Sequence, residues 1–264
     1  MMKRLWLLPL MLLLMAQDCE TPPPPANEYC SGAVMRPEPG VLDSLMEGVG
    51  GVWNTIIGGT PSTDRRATVK VLFGSAYCTG TVIGKRTVLT AGHCGYASAT
   101  THTILIEDGQ RIASTSHLVH PDYFKWVYKH DLEGRKSDLM LLFTDQDLPG
   151  PIVDNLYDSS LAALCTDLLA QGYGQVGEGD TPGLNESHYT VTWEEDKSLI
   201  TKQATPGGSC FGDSGSALYA LLGDNPVNLK IAGVLSTTAS SDCLVSATYV
   251  KAEYFREWIA ANTR

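Results

Sequence analysis

Short runs of β-branched and apolar residues, separated by turn residues, recur over residues 57–251 of this chain. Each run is too short for a helix of ordinary length, and long helical periodicity is missing between them. The predicted strands cover residues 67–73, 79–83, 87–91, 103–107, 139–143, 168–173, 189–193, 216–222, 230–236 and 247–251. This pattern predicts an all-β fold made of antiparallel barrels or sandwiches.

Helical spacing occurs at the carboxyl end of the chain, over about residues 251–262. Phe255, Trp258 and Ile259 fall on one face of such a helix, because residues three and four positions apart lie one above another. The sequence therefore ends in a predicted amphipathic helix.

The amino terminus has the pattern of a secretory signal peptide. Lys3 and Arg4 precede an apolar run over residues 5–16. This run is shorter than the roughly 20 apolar residues that a membrane-spanning helix needs. We therefore expect residues 1–16 to be removed on export to the extracellular space, with no membrane span. A lipid anchor on Cys19 stays open as an alternative, although polar residues precede it where acylation favours small ones.

A proline-rich spacer and an irregular, glycine-rich stretch follow, over residues 17–55. Consecutive prolines favour polyproline II and carry no packing signal. We interpret this part of the chain as a spacer and a pro-segment that precede the folded domain.

Composition changes this picture mainly by excluding partners. The chain has 264 residues, of which 43% are hydrophobic, so it can bury a core as one two-lobed domain or as two small ones. Its formal net charge of −10 disfavours a nucleic-acid partner and gives no basic face for a membrane. Export would also permit disulfides among the seven cysteines.

Candidate chemistry is concentrated in the stretch Ser-Cys-Phe-Gly-Asp-Ser-Gly over residues 209–215, which presents Ser214 as a nucleophile. Two earlier segments supply His93, within Thr-Ala-Gly-His-Cys, and Asp138, which precedes the apolar run of a predicted buried strand. The order His, Asp, Ser differs from that of other serine hydrolases. Ser216 also breaks the Gly-x-Ser-x-Gly pattern of an α/β-hydrolase.

These residue types can together make a serine hydroxyl reactive. A hydroxyl is a weak nucleophile at neutral pH, so the imidazole of His93 would take its proton and return it to the leaving amine. The carboxylate of Asp138 would fix the tautomer of that imidazole and stabilise the imidazolium. The backbone N–H groups of Gly212 and Ser214 are the candidate donors to the oxyanion.

The chain resembles the chymotrypsin/trypsin family of serine proteases over about residues 56–262. Besides the segments above, it has Ile-Ile-Gly-Gly at 56–59, Val-His-Pro at 119–121, Gly-Tyr-Gly at 172–174 and Gly-Val-Leu-Ser at 233–236, in the family's order. The resemblance implies two antiparallel six-stranded β-barrels packed against each other, over about 57–155 and 160–250. It also implies an active site between the barrels and a terminal helix on the second barrel.

The resemblance further implies a zymogen that is cleaved before Ile56. The new ammonium of Ile56 would fold inward and pair with Asp213, since an unpaired buried carboxylate is strongly unfavourable. Thr55 precedes the bond to be cut. It suits the specificity inferred below, which motivates self-activation as a hypothesis.

Four cysteines fall where the family forms disulfides. The implied bridges are Cys78–Cys94, beside His93, and Cys210–Cys243, beside the loop of Ser214. The other three match no standard bridge: Cys19, Cys30 and Cys165. A bridge from Cys30 to Cys165, which would tether the pro-segment after cleavage, is one hypothesis.

The resemblance also locates a primary specificity pocket, lined by Gly208, Ser209, Ser236, Thr238 and Ala247. Gly208 stands at its base, so no carboxylate is available there to bind a Lys or Arg side chain. Thr238 and Ala247 occupy positions that are glycine in a deep pocket. We therefore expect a shallow, elastase-like pocket for small or medium aliphatic residues before the scissile bond.

These expectations describe a secreted, monomeric serine endopeptidase that acts on protein or peptide substrates, with proteinaceous inhibitors as further candidate partners. No cofactor and no metal is expected, because glutamates do not fall in the family's calcium-site register around Glu107 and Gly109. A non-catalytic binding protein on the same fold and a hydrolase of small esters are the alternatives. The aromatic-rich interval between His120 and Asp138 could either pack onto the protein or border the substrate cleft.

Overall fold

The computed structural model describes residues 56, 59–95, 101–106, 109–154, 156, 167–174, 183–203, 208–221, 229–238, 243 and 246–264. The predicted signal peptide, spacer and pro-segment lie outside the described residues, as do Cys19, Cys30, Glu107 and Cys165. Strands dominate the described part, and its α-helices are short. None of the helices in these ranges is long and apolar enough to cross a membrane.

The first lobe is one curled antiparallel sheet. Its strands are β2 (Thr68–Phe73), β3 (Ala76–Gly84), β4 (Thr87–Thr90), β5 (Thr103–Leu105), β6 (Arg111–Ala113), β7 (Ser116–Val119) and β8 (Met140–Phe143). They pair in the order β6-β5-β2-β3-β4-β8-β7. The edge strands β6 and β7 are consecutive in the chain, and the N–H groups of Ser114 and Thr115 between them bond to the carbonyls of His102 and Phe143. This corner joins the two edges and curls the sheet.

The second lobe is a closed six-stranded barrel. Its strands are β9 (Asp167–Gly172), β10 (Asn185–Glu194), β11 (Ser198–Gln203), β12 (Ala217–Leu221), β13 (Leu229–Thr238) and β14 (Ala247–Lys251). They pair in the order β10-β11-β14-β13-β12-β9, and β9 pairs again with β10. The short β1 (Thr60–Pro61) adds to β10 outside the ring. The predicted all-β fold class is thereby confirmed.

Two hydrophobic clusters form the core. The larger one fills the first lobe and extends between the lobes to residues such as Tyr219 and Val234. The smaller one lies in the second lobe and includes Ile56, Leu168 and Tyr189. Burial of a large apolar side chain contributes about 1.5–3 kcal/mol, so these clusters are the main stabilising feature of each lobe. Ile56 belongs to the smaller cluster, so its side chain lies in the core of the second lobe.

A buried polar group joins the lobes. The hydroxyl of Thr68 on β2 donates to the Gln171 amide oxygen at 3.0 Å and lies 3.1 Å from the hydroxyl of Tyr219. The Gln171 amide nitrogen donates to Ser62 and Glu186 at 2.9 Å each. The two contacts of Thr68 cross from the first lobe to the second, so they form only when the lobes are docked and help to fix one relative placement of the lobes.

The terminal helix α3 (Arg256–Asn262) is confirmed, but its contacts differ from the expectation. Phe255 and Trp258 hold the ring of His120 between them, at centroid distances of 4.8 and 4.9 Å. The carbonyl of Arg264 then bonds to the β3–β4 hairpin. The helix therefore packs on the first lobe as well, because its apolar face completes the cluster shared by the lobes.

Two helices in the interval before Asp138 were not predicted: α1 (Tyr123–Lys129) and α2 (Leu132–Arg135). Apolar residues fill most positions of α1, so its sequence has no helical stripe. Burial of Tyr123 against the first lobe anchors it instead. The missed strands β1 and β6 have only two and three residues, and β7 and β11 mix polar and apolar residues, so none forms a clear run.

Candidate active site

His93 lies in a tight turn at the end of β4. A 3-10 turn over Gly92–Cys94 follows the strand directly. A disulfide joins Cys94 to Cys78 on β3 and anchors this turn to the sheet. The strand pair and the disulfide thus fix the backbone of His93, while its side chain keeps 34% of its surface exposed.

Asp138 immediately precedes β8 and is almost fully buried, with 3% of its side chain exposed. Its Oδ1 accepts from the backbone N–H of His93 at 2.8 Å, and its Oδ2 lies 2.7 Å from the Nδ1 of the same residue. The hydroxyl of Ser236 donates to Oδ2 at 2.6 Å. These contacts orient the ring, so Nδ1 carries the proton and Nε2 is left as the acceptor.

The pKa of His93 is raised above its usual value. Burial alone would lower it, because the cationic form loses hydration. The charge of Asp138 and its hydrogen bond to the ring outweigh burial and favour the imidazolium. An imidazole stabilised in this way is a stronger base toward a neighbouring hydroxyl.

Ser236, a predicted residue of the specificity pocket, also has a contact that was not predicted: its hydroxyl bonds to Asp138. The two residues come from different lobes, so this contact forms only when the lobes dock. This contact could not be predicted from the sequence, because no motif around Ser236 or Asp138 points to the other residue. An unpaired lone pair on a buried carboxylate would have predicted some donor, though not which one.

The loop of Ser214 lies against the strands that carry His93. The carbonyl of Ser214 accepts from the N–H of Thr79 at 2.9 Å. Gly215 is so close to β4 that a Cβ on it would stand 2.1 Å from the hydroxyl of Thr90, and its φ of +84° also favours glycine. The glycine after the serine therefore permits close approach of the two lobes.

The structure thus brings His93 and Asp138 into direct contact and places the backbone of Ser214 beside them. Within the described residues, no hydrogen bond joins the hydroxyl of Ser214 to the ring of His93. Such bonds are often long in proteins without substrate and tighten when substrate binds.

The candidate oxyanion donors belong to Gly212 and Ser214. The carbonyl of Gly212 accepts from the hydroxyl of Thr79 at 2.9 Å, which holds this peptide in place. Gly212 has a φ of +97°, a conformation that glycine adopts without strain. In the part of the chain that the structure describes, neither N–H donates to another protein group. Both donors are therefore free for a ligand.

Asp213 is fully buried. Its carboxylate accepts from the N–H of Gly174 at 2.7 Å and from the N–H of Cys210 at 2.9 Å. Burial raises the pKa of Asp213 to about 7, although both N–H bonds act to lower it. No cation among the described residues lies within ion-pair distance of it. Asp213 therefore has no counter-ion among those residues.

The Gly-Tyr-Gly segment makes room for that carboxylate. A Cβ on Gly172 or on Gly174 would stand 2.1 or 2.2 Å from the oxygens of Asp213. Ile56 has its side chain buried in the second lobe and a φ of +49°. In the full sequence its nitrogen is bonded to Thr55 and is therefore a neutral amide.

The predicted pocket residues lie on facing segments of the second lobe. A disulfide joins Cys210 to Cys243, and a Cβ on Gly208 would stand 2.1 Å from the carbonyl of Cys243. Thr238 on β13 is the register partner of Ala247 on β14. Opposite residues of an antiparallel pair point to the same face, so both side chains occupy one side of the sheet.

Ser209 is buried and bonds to two tyrosines. Its hydroxyl lies 2.8 Å from that of Tyr189 and 3.3 Å from that of Tyr249. Burial raises the pKa of both tyrosines, so they stay neutral. The two tyrosine hydroxyls therefore add polar groups but no charge to this region.

One group of potential metal ligands adjoins this site. A ring nitrogen of His93 and the sulfurs of Cys78 and Cys94 lie within 4.8 Å of one another. Both sulfurs belong to a disulfide, so neither is a thiolate. This group is not a metal site.

The sequence matches the Trypsin family model over residues 56–259. The chain belongs to the trypsin family. It is 24% identical over 239 residues to trypsin Tyr p 3.0101 of Tyrophagus putrescentiae, which covers 79% of this chain and 80% of that protein. It is 22% identical over 196 residues to achelase-1 of Lonomia achelous, which covers 62% of this chain and 91% of that protein. Membership in the trypsin family supports a serine protease.

Solved structures of the trypsin fold are similar to this one at low sequence identity. Human heparin binding protein has a TM-score of 0.64 at 20% identity, covering 78% of this chain and 96% of that chain. Neuropsin, a serine protease expressed in the limbic system of mouse brain, has a TM-score of 0.63 at 18% identity, covering 77% and 97%. At these identities the similarity shows the shared fold alone.

Proposed function

We propose that this trypsin-family protein is a serine endopeptidase that uses Ser214, His93 and Asp138 to cleave peptide bonds through an acyl-enzyme. The observation that carries the proposal is the buried carboxylate of Asp138, bonded to both the backbone and the ring of His93 beside the loop of Ser214. If Asp138 only stabilised the fold, it would not need the partly exposed imidazole of His93 as its partner.

In the proposed reaction, His93 takes the proton of Ser214 as the serine oxygen attacks the scissile carbonyl. The negative charge moves to the carbonyl oxygen, where the N–H groups of Gly212 and Ser214 stabilise it. His93 then gives the proton to the leaving amine, and an ester bond to Ser214 remains. Water, deprotonated by His93, hydrolyses that ester and restores the enzyme.

The proposed specificity is for small or medium aliphatic residues before the scissile bond. Gly208 supplies no charge at the base, and Thr238 and Ala247 narrow the pocket from one face of the sheet. The neutral tyrosines around Ser209 provide no counter-ion for a basic side chain. Protein or peptide substrates follow from the family, and proteinaceous inhibitors are proposed as further partners of the same cleft.

The proposed maturation is removal of residues 1–16 as a signal peptide, followed by cleavage before Ile56. Asp213 is buried with no cation near it among the described residues, which supports the second step, because a new ammonium would compensate its charge. In this proposal residues 17–55 are the spacer and pro-segment, and the mature, secreted monomer spans 56–262. Self-cleavage after Thr55 stays part of the proposal.

Labelling with a fluorophosphonate tests the proposed chemistry, because only an assembled serine and histidine react quickly with it. The protein cut before Ile56 should label at Ser214, and the Ser214→Ala variant should not. The His93→Ala variant should label far more slowly. Ser116→Ala, which changes an exposed serine on β7, should behave as the wild type.

Failure of the cut protein to label, with its fold intact, would favour the non-catalytic binding protein. Comparing the turnover of casein with that of a short ester then separates the endopeptidase from the hydrolase of small esters. A protease cleaves both, whereas a hydrolase of small esters leaves casein intact.

A further inference from the structure

Thr79 on β3 is a fully buried threonine whose hydroxyl has two hydrogen bonds. It accepts from the backbone N–H of Tyr173 at 3.0 Å and donates to the carbonyl of Gly212 at 2.9 Å. Because the N–H of Tyr173 can only donate, the proton of the hydroxyl is left for the carbonyl. One side chain of the first lobe therefore joins two separate segments of the second lobe.

The backbone of Thr79 holds the same loop. Its N–H donates to the carbonyl of Ser214 at 2.9 Å, and its own carbonyl accepts from the hydroxyl of Thr90 at 2.7 Å. Thr79 thus bonds to the carbonyls of Gly212 and Ser214, the two residues that flank Asp213 in the chain. The loop is therefore attached to β3 at two points.

The neighbour of Thr79 in the chain fixes the proton-transfer pair. A disulfide joins Cys78 to Cys94, which belongs to the turn of His93. Two consecutive residues of β3 therefore reach the two halves of the proposed site: Cys78 reaches the turn of His93, and Thr79 reaches the loop of Ser214. One short stretch of strand sets the placement of these halves relative to each other.

The peptide between Gly212 and Asp213 is held at both of its polar groups. Its carbonyl accepts from the hydroxyl of Thr79, and its N–H donates to the carbonyl of Cys210 at 3.0 Å. The N–H of Gly212, a candidate oxyanion donor, belongs to the peptide before this one and shares its Cα. Because each peptide is planar, fixing one plane limits the directions that the N–H across that Cα can take.

We propose that the hydroxyl of Thr79 is a positioning group that keeps the N–H of Gly212 directed at the oxyanion. The inference rests on the proposed function, because it concerns how that site stabilises the charge on the scissile carbonyl. A neutral hydroxyl supports the loop without the ammonium that cleavage would create at Ile56. The uncut chain should therefore keep part of its reactivity, which self-cleavage after Thr55 would require.

The first experiment removes the hydroxyl from the enzyme cut before Ile56. Thr79→Val keeps the shape of the side chain but has neither the donor nor the acceptor, whereas Thr79→Ser keeps the hydroxyl. Complete loss of an oxyanion donor lowers kcat by about 10²–10³-fold, and a donor that is only loosened should cost less. With a chromogenic peptide amide, we expect kcat to fall roughly tenfold in Thr79→Val while KM changes little.

Two further variants complete this comparison. Thr79→Ser should stay within about threefold of the wild-type kcat, because it can make both hydrogen bonds. Thr81→Val is the matched control, since it changes the next buried threonine of β3, whose hydroxyl lies 3.5 Å from that of Tyr219. It should keep the wild-type kcat.

The second experiment compares cut and uncut proteins. Thr55→Pro blocks cleavage before Ile56, and Thr79→Val is added to it. Two supports of one loop should not act additively, because each limits the damage done by loss of the other. Thr79→Val should therefore lower the rate of fluorophosphonate labelling at least roughly threefold more in the uncut protein than in the cut one.

Several outcomes would overturn the proposal. These are a wild-type kcat in Thr79→Val, an equal loss in Thr79→Val and Thr79→Ser, an equal loss in the cut and uncut proteins, and an uncut parent that labels no faster than its Ser214→Ala form. If Thr79→Val does not fold, seen as loss of a cooperative thermal transition, Thr79→Ala and Thr79→Ser are compared instead, because they differ only in the hydroxyl. Failure of the cut wild type to label would refute the proposed function itself.

Discussion

Two buried carboxylates of this protein differ in whether a group that can carry positive charge lies beside them. Asp138 accepts from a backbone N–H, an imidazole and a hydroxyl, and the imidazole can become its counter-ion. Asp213 accepts from two backbone N–H groups and has no cation among the described residues. Asp138 therefore already orients the imidazole of His93, whereas Asp213 has no counter-ion among the described residues.

This difference indicates which lobe would control the proposed activity. The proton-transfer pair is assembled in the first lobe by β4, β8 and a disulfide, before any cleavage. The loop of Ser214 belongs to the second lobe, and in the proposed activation it depends on the charge of Asp213, whose proposed partner, the nitrogen of Ile56, is a neutral amide before cleavage. Activation should thus change the second lobe while leaving His93 and Asp138 almost unmoved.

The largest expected effect comes from Asp138→Asn. An amide would favour the wrong tautomer of His93, and kcat/KM of the cut enzyme should fall by about 10⁴-fold, as in a related His-Asp-Ser site. Burial of His93 would then act without an opposing charge, so the acid limb of the pH profile should move to lower pH. In the wild type this limb should have its midpoint above the usual histidine pKa, because Asp138 raises it. A wild-type midpoint below 6.5 would contradict this assignment.

Asp213→Asn should have the next largest effect. In the enzyme cut before Ile56 it would remove the carboxylate that is proposed to pair with the Ile56 ammonium, and loss of one ordered oxyanion donor would lower kcat by about 10²–10³-fold. In the uncut Ser214→Ala protein the effect is on stability. A carboxyl whose pKa is raised to about 7 binds its proton more tightly when folded, so stability is greatest at acid pH and falls as pH rises toward 7.

Denaturant unfolding across pH 4 to 8 measures this dependence. The uncut protein should lose up to about 4 kcal/mol relative to its Asp213→Asn variant over that range, from the size of the pKa shift. Asp145→Asn, which changes an exposed aspartate, is the matched control and should retain the slope. A wild-type slope of the opposite sign would show that Asp213 already has a cationic partner.

Much of this arrangement could be predicted from the sequence because it depends on local patterns. The strand runs, the order of His93, Asp138 and Ser214, and the glycines at 172 and 174 are all visible in the chain. The confirmed fold class follows from the strand runs, whose short length and turn boundaries are typical of antiparallel sheets.

The contacts between lobes could not be predicted in the same way. The bond from Ser236 to Asp138 joins residues 98 positions apart, and Lys70 meets Tyr173 only after both lobes have folded. Helix α1 escaped prediction because its anchor, Tyr123, gains its stability from tertiary burial and not from a helical pattern. Docking of the lobes determines the first two contacts, and burial against the first lobe determines the helix; local propensity determines none of them.

The substitution Ser236→Ala tests how much the surroundings of Asp138 contribute to the proposed activity. It removes one of the three donors, and a hydrogen bond to a charged acceptor contributes about 1.5–3 kcal/mol. We expect kcat/KM to fall roughly tenfold or somewhat more, with KM for a short ester little changed. Ser236→Thr keeps the hydroxyl and should restore most of the activity. An equal loss in both variants would point to altered packing instead of the lost bond.

The smallest expected effect concerns specificity in the second lobe. Thr238 and Ala247 face each other across β13 and β14, so replacing both with glycine should deepen the pocket without touching either carboxylate. Because hydrophobic pockets discriminate by only about 1–3 kcal/mol per methylene, kcat/KM for Leu relative to Ala before the scissile bond should rise about fivefold to tenfold. Thr248→Gly changes the neighbouring side chain, which points to the other face of β14, and serves as the control. A peptide series that instead showed dominant cleavage after Arg or Lys in the wild type would refute the shallow neutral pocket.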